Sequence, residues 1–124
     1  MSILNLTQHQ ASPEQIEAGV VDLTGDDRTS LLHALNFAAL PSAETMRSSA
    51  EEIAALARVN GATSAMIGGA PFLMAPLERA LRAEGIEPLY AFSARESAEQ
   101  AQPDGSVLKV TVFRHLGFVP AVAP

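Results

Sequence analysis

The chain has 124 residues, the size of one ordinary domain, and we predict a single α/β domain over residues 1–124. Its 48% hydrophobic and 18% charged residues are typical of a soluble globular protein. The net charge of −6 argues against a protein that coats long nucleic acid, because such proteins bind phosphates through many Lys and Arg side chains. The absence of cysteine excludes disulfides, thiolate catalysis and cysteine-based metal sites.

The two ends of the chain give expectations about location. No window approaches the roughly 18 apolar residues of a membrane helix, and "MSILNLTQHQ" has no basic segment before its short apolar run. These features predict a cytoplasmic protein with no membrane partner. The last residues, 117–124, are predicted to form a flexible tail.

The charge is distributed unevenly along the chain. Residues 63–124 carry five basic and six acidic side chains, whereas residues 1–62 carry three basic and eight acidic ones, so an anion site is expected in the second half.

The first elements follow from apolar runs and helix signals. "SILNLT" predicts a buried strand at residues 2–7, and "TQHQ" then emerges from its carboxyl end. Ser12, Pro13 and Gln15 have the spacing of an N-cap, a first helical residue and a capping-box partner, and Gly19 is expected to end that short helix.

Two longer helices are predicted next. One begins after Gly25 or Asp26 and carries leucines on its apolar side. The clearer one is capped by Ser42, has Met46, Ala50, Ile53 and Ala57 on one face, and ends at Gly61.

The second half alternates strands and helices. "TSAMI" predicts a strand, and a helix after it runs to Gly85; either the regular helix starts near Pro76 or Pro76 falls in the first turn. "EPLYAFS" predicts a third strand, "ARESAEQAQ" a loop or short helix, "PDGS" a turn and "VLKVTVFRH" a strand with two distinct faces. This order favours an α/β domain with a mainly parallel sheet and one antiparallel C-terminal strand. The strand order cannot be read from these patterns.

Polar groups are predicted to converge where the parallel strands end. Ligands of open parallel sheets bind outside the carboxyl ends of the strands. The residues expected there are Thr7, Gln8 and His9 after the first strand, Gly68, Gly69 and Ala70 after the second, and Ser93, Arg95 and Glu96 after the third. Arg114 and His115 near the chain end are adjacent, so at most one of them is expected to face a given pocket.

The adjacent glycines Gly68 and Gly69 have two interpretations. They are either a tight connection between strand and helix or a cradle in which backbone amides approach a phosphate. The stretch lacks the third glycine of a dinucleotide fingerprint and the Lys-Ser/Thr of a P-loop, which disfavours an NAD or ATP enzyme. The three scattered histidines lack metal-ligand spacing, so we expect no metal and no other cofactor.

The segments "LNLTQHQASPEQ", "GVVD", "MIGGAPF", "LYAFSARES" and "VFRHLGF" resemble a family of small bacterial proteins often found on mobile elements, and the likeness covers nearly the whole chain. More loosely, a strand followed by "TQH" and a later strand followed by Gly-Gly is similar to the CARF-type domains of type III CRISPR systems. That resemblance implies a Rossmann-like three-layer homodimer that binds cyclic oligoadenylates in antiviral defence, and some such domains are ring nucleases. Several of them have Lys or Arg where this chain has Gln8 or Ala70.

The resemblance therefore implies binding and metal-independent cleavage of a cyclic oligoadenylate, in which a ribose 2′-hydroxyl attacks its own phosphodiester. His9 is the expected general acid or base, since an imidazole titrates near neutrality, and Arg95 and Ser93 the expected catalytic partners. Ligand contacts are expected from a further set: Thr7, Gln8, Gly68, Gly69, Ala70, Glu96, Arg114 and His115. Two alternatives stay open, a nucleotide-binding sponge without turnover and a small adaptor that docks a protein partner through "GFVPAVAP".

Overall fold

The computed structural model describes residues 2–123. Nine elements follow one another in the chain: β1 (Ile3–Asn5), α1 (Pro13–Glu17), β2 (Val20–Asp22), α2 (Gly25–Leu35), α3 (Ala43–Val59), β3 (Ser64–Ile67), α4 (Pro71–Ala83), β4 (Glu87–Ala101) and β5 (Val107–Pro120). The predicted α/β class with a mainly parallel sheet is confirmed, including the antiparallel strand at the C-terminus. Met1 and Pro124 of the predicted domain lie outside the described residues.

The five strands form one sheet in the order β2-β1-β3-β4-β5. β1 pairs in parallel with both β2 and β3, and β3 pairs in parallel with Glu87–Tyr90 of β4. From Leu89 to Ala101, β4 pairs antiparallel with β5. The strand order thus changes direction between β1 and β3. We call this place the switch point.

The core lies between the sheet and α2, α3 and α4. Leu73, Leu77 and Leu81 recur at every fourth residue of α4, so they lie on one face, and all three are buried. In α3 the buried set is Ala50, Ile53, Ala54 and Ala57, with Ser42 accepting the Thr45 amide at 3.1 Å as the predicted N-cap. The small helix α1 contacts β2 and β5, and the sheet therefore separates helical layers of very different size.

Three expectations about single segments need correction. Residues 94–101 are neither a loop nor a helix, because β4 continues to Ala101 through its pairing with β5. A strand that the sequence did not predict, β2, occupies Val20–Asp22. Pro76 lies in the second turn of a helix that begins at Pro71, so neither alternative for this residue is right.

The C-terminal segment and the helices bear on two other predictions. Residues 117–120 belong to β5, and the Ala121 amide donates to the Pro88 carbonyl at 3.0 Å. The flexibility expected for residues 117–124 stays a prediction. Among the described residues, none of the helices is both long enough and apolar enough to cross a membrane.

Candidate functional site

Two loops meet at the switch point. Thr7–Gln10 follow β1 and Gly68–Ala70 follow β3, and these neighbouring strands are parallel. At a switch point, the connections that follow the two neighbouring strands run in opposite directions, and this opens a crevice at the carboxyl ends of the strands. The structure thus brings together six of the residues predicted for the site: Thr7, Gln8, His9, Gly68, Gly69 and Ala70.

The loop after β1 is fixed by Asn5, the fully buried last residue of that strand. The Asn5 Oδ1 atom accepts hydrogen bonds from the Thr7 amide at 2.9 Å and the Thr7 hydroxyl at 2.7 Å. Its Nδ2 atom donates to the His9 carbonyl at 2.8 Å. One side chain therefore closes the turn that carries His9, as Asn commonly does in turns.

Asp22 connects this loop to the neighbouring strand β2. Its Oδ1 atom accepts from Asn5 Nδ2 at 2.7 Å and from the Ala11 amide at 3.1 Å. Asn5 and Asp22 are opposite each other in the parallel register of β1 and β2. The sequence reading missed both residues, although Asn within an apolar run and Thr two residues later are the signal of such a turn.

The loop after β3 approaches the first loop closely. A Cβ atom added to Gly68 would lie 3.5 Å from Thr7 Cγ2, and Gly69 has φ of 137°, a region that favours glycine. Ala70 is the N-cap of α4 and has no side-chain oxygen to accept a first-turn amide. Within residues 2–123, no backbone carbonyl accepts the amides of Gly68, Gly69 or Ala70.

Two cavities flank this pair of loops. We call them the switch-point cavity, of about 380 Å³, and the aromatic cavity, of about 300 Å³. Gln8, Gly68 and Gly69 line both of them. The switch-point cavity adds Thr7, His9, Gln10, Gln15, Met66, Ile67, Tyr90 and Ala91, and the aromatic cavity adds Leu35, Asn36, Phe37, Ala70 and Phe72.

A larger groove of about 620 Å³ lies elsewhere, between α3 and α4. Its lining combines Arg47 and Arg79 with Glu51 and Glu84, so it has no consistent charge. At the switch point, by contrast, the amides of Gly68, Gly69 and Ala70 are hydrogen-bond donors without an acceptor among the described residues. The size of a cavity alone does not decide where a ligand binds. We therefore place the candidate site at the switch point.

Arg28, in the first turn of α2, supplies a positive charge behind the first loop. Its Nη2 atom donates to the Gln8 carbonyl at 3.1 Å. Its Nη1 atom is buried and has no hydrogen-bond partner in the part of the chain that the structure describes. The Arg28 side chain is half-buried and lines neither of the two cavities, so it adds positive charge near the first loop rather than a direct contact to a ligand. The sequence reading expected the cation in the second half of the chain and missed this one.

The His9 side chain is exposed at the rim of the switch-point cavity. Its backbone carbonyl is held by Asn5 and Thr7, whereas the imidazole makes no hydrogen bond to any described residue. The backbone of His9 is thus held in place, whereas the imidazole nitrogens are open to solvent, which permits proton exchange with a ligand.

The other predicted residues lie on the antiparallel part of β4 and β5. Ser93, Arg95 and Glu96 are inside β4, so the expectation that they follow the end of a strand is wrong. None of them lines either cavity. The Arg95 guanidinium carbon lies 5.4 Å from the centroid of the Phe113 ring.

Arg114 and His115 are also inside β5 rather than at its end. Arg114 Nε lies 3.8 Å from Glu14, in α1, and its Nη1 atom lies 3.7 Å from Glu96. The His115 ring packs against Phe118 at a centroid distance of 4.7 Å. Neither residue lines the two cavities.

Comparison with known proteins gives one match. The model of the family described as "Uncharacterized protein MJ1673 family" matches residues 1–119. The chain belongs to this family. The part of the chain that matches the MJ1673 family includes both loops of the switch point and nearly all of β5. No curated protein and no solved structure matches the chain.

The candidate site of this MJ1673-family chain combines backbone amide donors with two titratable side chains, His9 and Tyr90. The Arg28 guanidinium is bonded to the carbonyl of Gln8, and the His9 imidazole lies at the cavity rim. Among the described residues, no group of three or more His, Asp or Glu side chains is placed to hold a metal ion. Free backbone amides can donate hydrogen bonds to an anion, and an exposed imidazole can exchange a proton.

Tyr90 forms the wall of the switch-point cavity that faces α4. Its hydroxyl donates to the Glu78 carboxylate, and Glu78 also pairs with Arg82 at 3.5 Å. Burial raises the pKa of the Tyr90 phenol well above the ordinary 10, and the hydrogen bond to Glu78 raises this pKa further. Tyr90 is thus neutral at all physiological pH values and acts as a hydrogen-bond donor.

This shift predicts a loss of stability in alkali. Because the folded state holds the Tyr90 proton more tightly, the stabilisation is complete below about pH 10 and falls as pH rises through the folded-state pKa. Tyr90 is the only tyrosine, so the near-ultraviolet absorbance of tyrosinate should appear well above pH 10 in the folded protein. Tyr90→Phe should reduce the slope of unfolding free energy against pH. Tyrosinate appearing at the ordinary pH of a free phenol would contradict the assignment.

Proposed function

We propose that the protein binds a cyclic oligonucleotide, of the cyclic oligoadenylate class, at the switch point and cleaves it without a metal. The observation that supports this most is the pair of loops at residues 7–10 and 68–70, which line shared cavities and leave the amides of Gly68, Gly69 and Ala70 without an acceptor among the described residues, with the Arg28 guanidinium bonded to the first loop. Amides and a guanidinium in this arrangement suit a phosphodiester, which is anionic and small enough to enter a cradle lined by glycine.

A ligand with several nucleotides fits the two cavities better than a single phosphate does. The cavities share Gln8, Gly68 and Gly69, so one ligand can extend across both. Phe37 and Phe72, whose ring centroids are 5.5 Å apart, line the aromatic cavity, and Phe72 is 49% exposed. An exposed aromatic face beside a phosphate cradle is the usual platform for stacking a nucleobase.

The proposed reaction is attack of a ribose 2′-oxygen on the adjacent phosphorus. The bond from phosphorus to the 5′-oxygen breaks, its electron pair leaves with that oxygen, and the products are a 2′,3′-cyclic phosphate and a 5′-hydroxyl. His9 takes the proton of the 2′-hydroxyl or gives a proton to the leaving oxygen. The loop amides stabilise the negative charge that builds up on the phosphoryl oxygens, and Arg28 adds positive charge behind the first loop. Arg95 and Ser93 are not needed, because neither lines the cavities.

Two copies of the chain complete this proposal, because a homodimer presents two equivalent cradles to a ring with two-fold symmetry. A ligand of this class would place the protein in the cytoplasm, in antiviral signalling by type III CRISPR systems, and the resemblance to proteins of mobile elements would suit such a role.

Binding without turnover is the second candidate function. It is favoured by one observation: no described residue orients the His9 imidazole. General bases in enzymes are usually held in a fixed orientation by a further group. A sponge that sequesters the nucleotide needs the cradle and not the imidazole.

A thermal-shift series tests the binding proposal directly. The protein is heated with cyclic di-, tri-, tetra- and hexa-adenylate and with linear tetra-adenylate as the control. A ligand at about 100 times its Kd should stabilise the native state by about 2.7 kcal/mol, which raises the melting temperature by several degrees for a chain of this size. One ring size should give the largest shift. Equal melting temperatures with every ring and with the linear control would contradict the proposal.

The Gly68→Asp variant should bind the selected ring about 30-fold more weakly, since a carboxylate in the cradle repels phosphate. Its stability should change by less than about 1 kcal/mol, because a Cβ at this position makes only an ordinary contact, 3.5 Å from Thr7 Cγ2. Ser48→Asp, on the exposed side of α3, adds the same charge remote from the cradle and is the matched control. Equal affinities of the two variants in calorimetry would remove Gly68 from the site.

A further inference from the structure

The antiparallel hairpin of residues 91–120, which we call the ribbon, extends beyond the rest of the sheet. β3 pairs with β4 only as far as Tyr90, whereas β4 and β5 stay paired as far as Ala101 and Val107. Within the described residues, the ribbon therefore has two free strand edges: the outer edge of β4 after Tyr90 and the whole outer edge of β5.

The ribbon is poorly suited to stand alone in water. Of the thirteen large apolar side chains that are exposed in residues 2–123, seven lie in it, among them Phe92 at 55% and Phe113 at 65%. A two-stranded hairpin without a third strand or a covering helix is marginally stable, and an unpaired edge is a template for pairing with another chain. Its length and composition thus indicate that a further strand joins it.

The charge distribution favours a second copy of this chain as the source of such a strand. The ribbon carries three basic and three acidic side chains, whereas the remaining residues carry five basic and eleven acidic ones. Two copies would repel each other over most of their surfaces. The ribbon is the neutral part, so two ribbons meet without this repulsion.

The two free edges differ in how well they suit such pairing. β5 has Lys109 and Arg114 and no acidic residue, so two β5 strands would bring like charges together, and Lys on an edge strand is a known protection against pairing. β4 carries charges of both signs, Arg95 and Glu99, on residues four positions apart. This spacing makes the β4 edge complementary to itself.

We propose that two copies of the chain pair through the outer edges of β4, antiparallel and centred on Ser97, to form a continuous four-stranded sheet. In this register Arg95 lies opposite the partner's Glu99, and two-fold symmetry repeats the pair. A shift of one residue in either direction loses both pairs. The interface rests on neither the ligand nor the chemistry of the proposed function. Ala91, where the switch-point cavity meets β4, is six residues from Ser97, so the two cavities lie about 40 Å apart along the paired strands, and this contact is distinct from one that brings two cradles to a single ring.

Single-cysteine variants test this register in the absence of any nucleotide, because the natural chain has no cysteine. Directly opposite residues of antiparallel strands have Cα atoms about 4.5–5.5 Å apart, within the range of a disulfide. Ser97→Cys should therefore form a disulfide-linked dimer under mild oxidation at micromolar protein, at least on the order of tenfold faster than the controls, since the paired thiols have a high effective concentration. The controls are Thr111→Cys on β5 and Ser48→Cys on α3, both exposed.

Light scattering and charge exchange give an independent readout that needs no cysteine. The unmodified protein should have the mass of a dimer. Arg95→Glu alone and Glu99→Arg alone should each weaken the dimer about tenfold, and the double variant should restore it. A monomer at high concentration, crosslinking of Ser97→Cys no faster than of Ser48→Cys, or faster crosslinking of Thr111→Cys would each overturn the interface. None of these results depends on ligand binding, so a failure here is distinct from a failure of the nucleotide proposal.

Discussion

His9→Ala should slow single-turnover cleavage of the selected cyclic oligoadenylate about 10²- to 10⁴-fold and change the affinity by no more than a few-fold. The imidazole is exposed at the cavity rim and bonds to no described residue, so it contributes to transfer of the proton more than to binding. The measurement uses protein in excess over ligand, with separation of the ring from its linear products. His33→Ala is the matched control, because His33 is exposed on α2 and lines neither cavity.

Two results of this experiment would change the interpretation. If affinity and the rate at limiting ligand fall in parallel in His9→Ala, the imidazole binds the ligand and is not the acid or base. If the unmodified protein in excess returns every ring intact, cleavage is excluded and sequestration becomes the better function. Since we infer no bound metal, a chelator should leave the rate unchanged.

Asn5→Ala should lower the free energy of unfolding by about 3 kcal/mol. The side chain is fully buried and its two polar atoms bond to Thr7, His9 and Asp22. Removal leaves the Asp22 carboxylate and the Thr7 amide short of a partner, and each unsatisfied buried group costs about 1–3 kcal/mol. Urea unfolding at neutral pH measures the loss.

The control for Asn5 is Asn36→Ala. Asn36 is exposed and its amide makes one hydrogen bond, to the Leu32 carbonyl at 2.6 Å. Its loss should cost less than about 1 kcal/mol, because water replaces the missing partner at an exposed site. If the two variants are equally stable, the Asn5 network does not hold the loop as we describe.

The parts of the fold that local signals determine could be predicted from the sequence. The Ser12 hydroxyl and the Gln15 side chain form the predicted capping box, and Ser42 caps α3 as expected. Both signals act within four residues, so no distant contact can change them. The loops with His9 and with Gly68 were predicted for the same reason, because each directly follows an apolar run.

The remaining parts depend on contacts between distant residues. The segment "ARESAEQA" has Ala, Glu and Gln, which favour helices, and it is a strand because β5 pairs with it. Arg28 meets the first loop only through tertiary packing, because it is 20 positions from the Gln8 carbonyl to which it donates. The strand order also depends on distant contacts. β1 and β2 are only three residues long, and their sequences do not indicate which strands lie beside them.

The separation of the two loops in the chain affects how the protein folds. Thr7 and Gly68 are about sixty positions apart, so β1 and β3 must close a long loop before the cradle exists. The ribbon pairs segments joined by a short turn and can form early, whereas the cradle has to wait for the parallel pairing. A partly folded chain in which β1 is still detached lacks the site where the proposed ligand would bind. Such a ligand would recognise only the native state, and its binding energy would add in full to the free energy of unfolding.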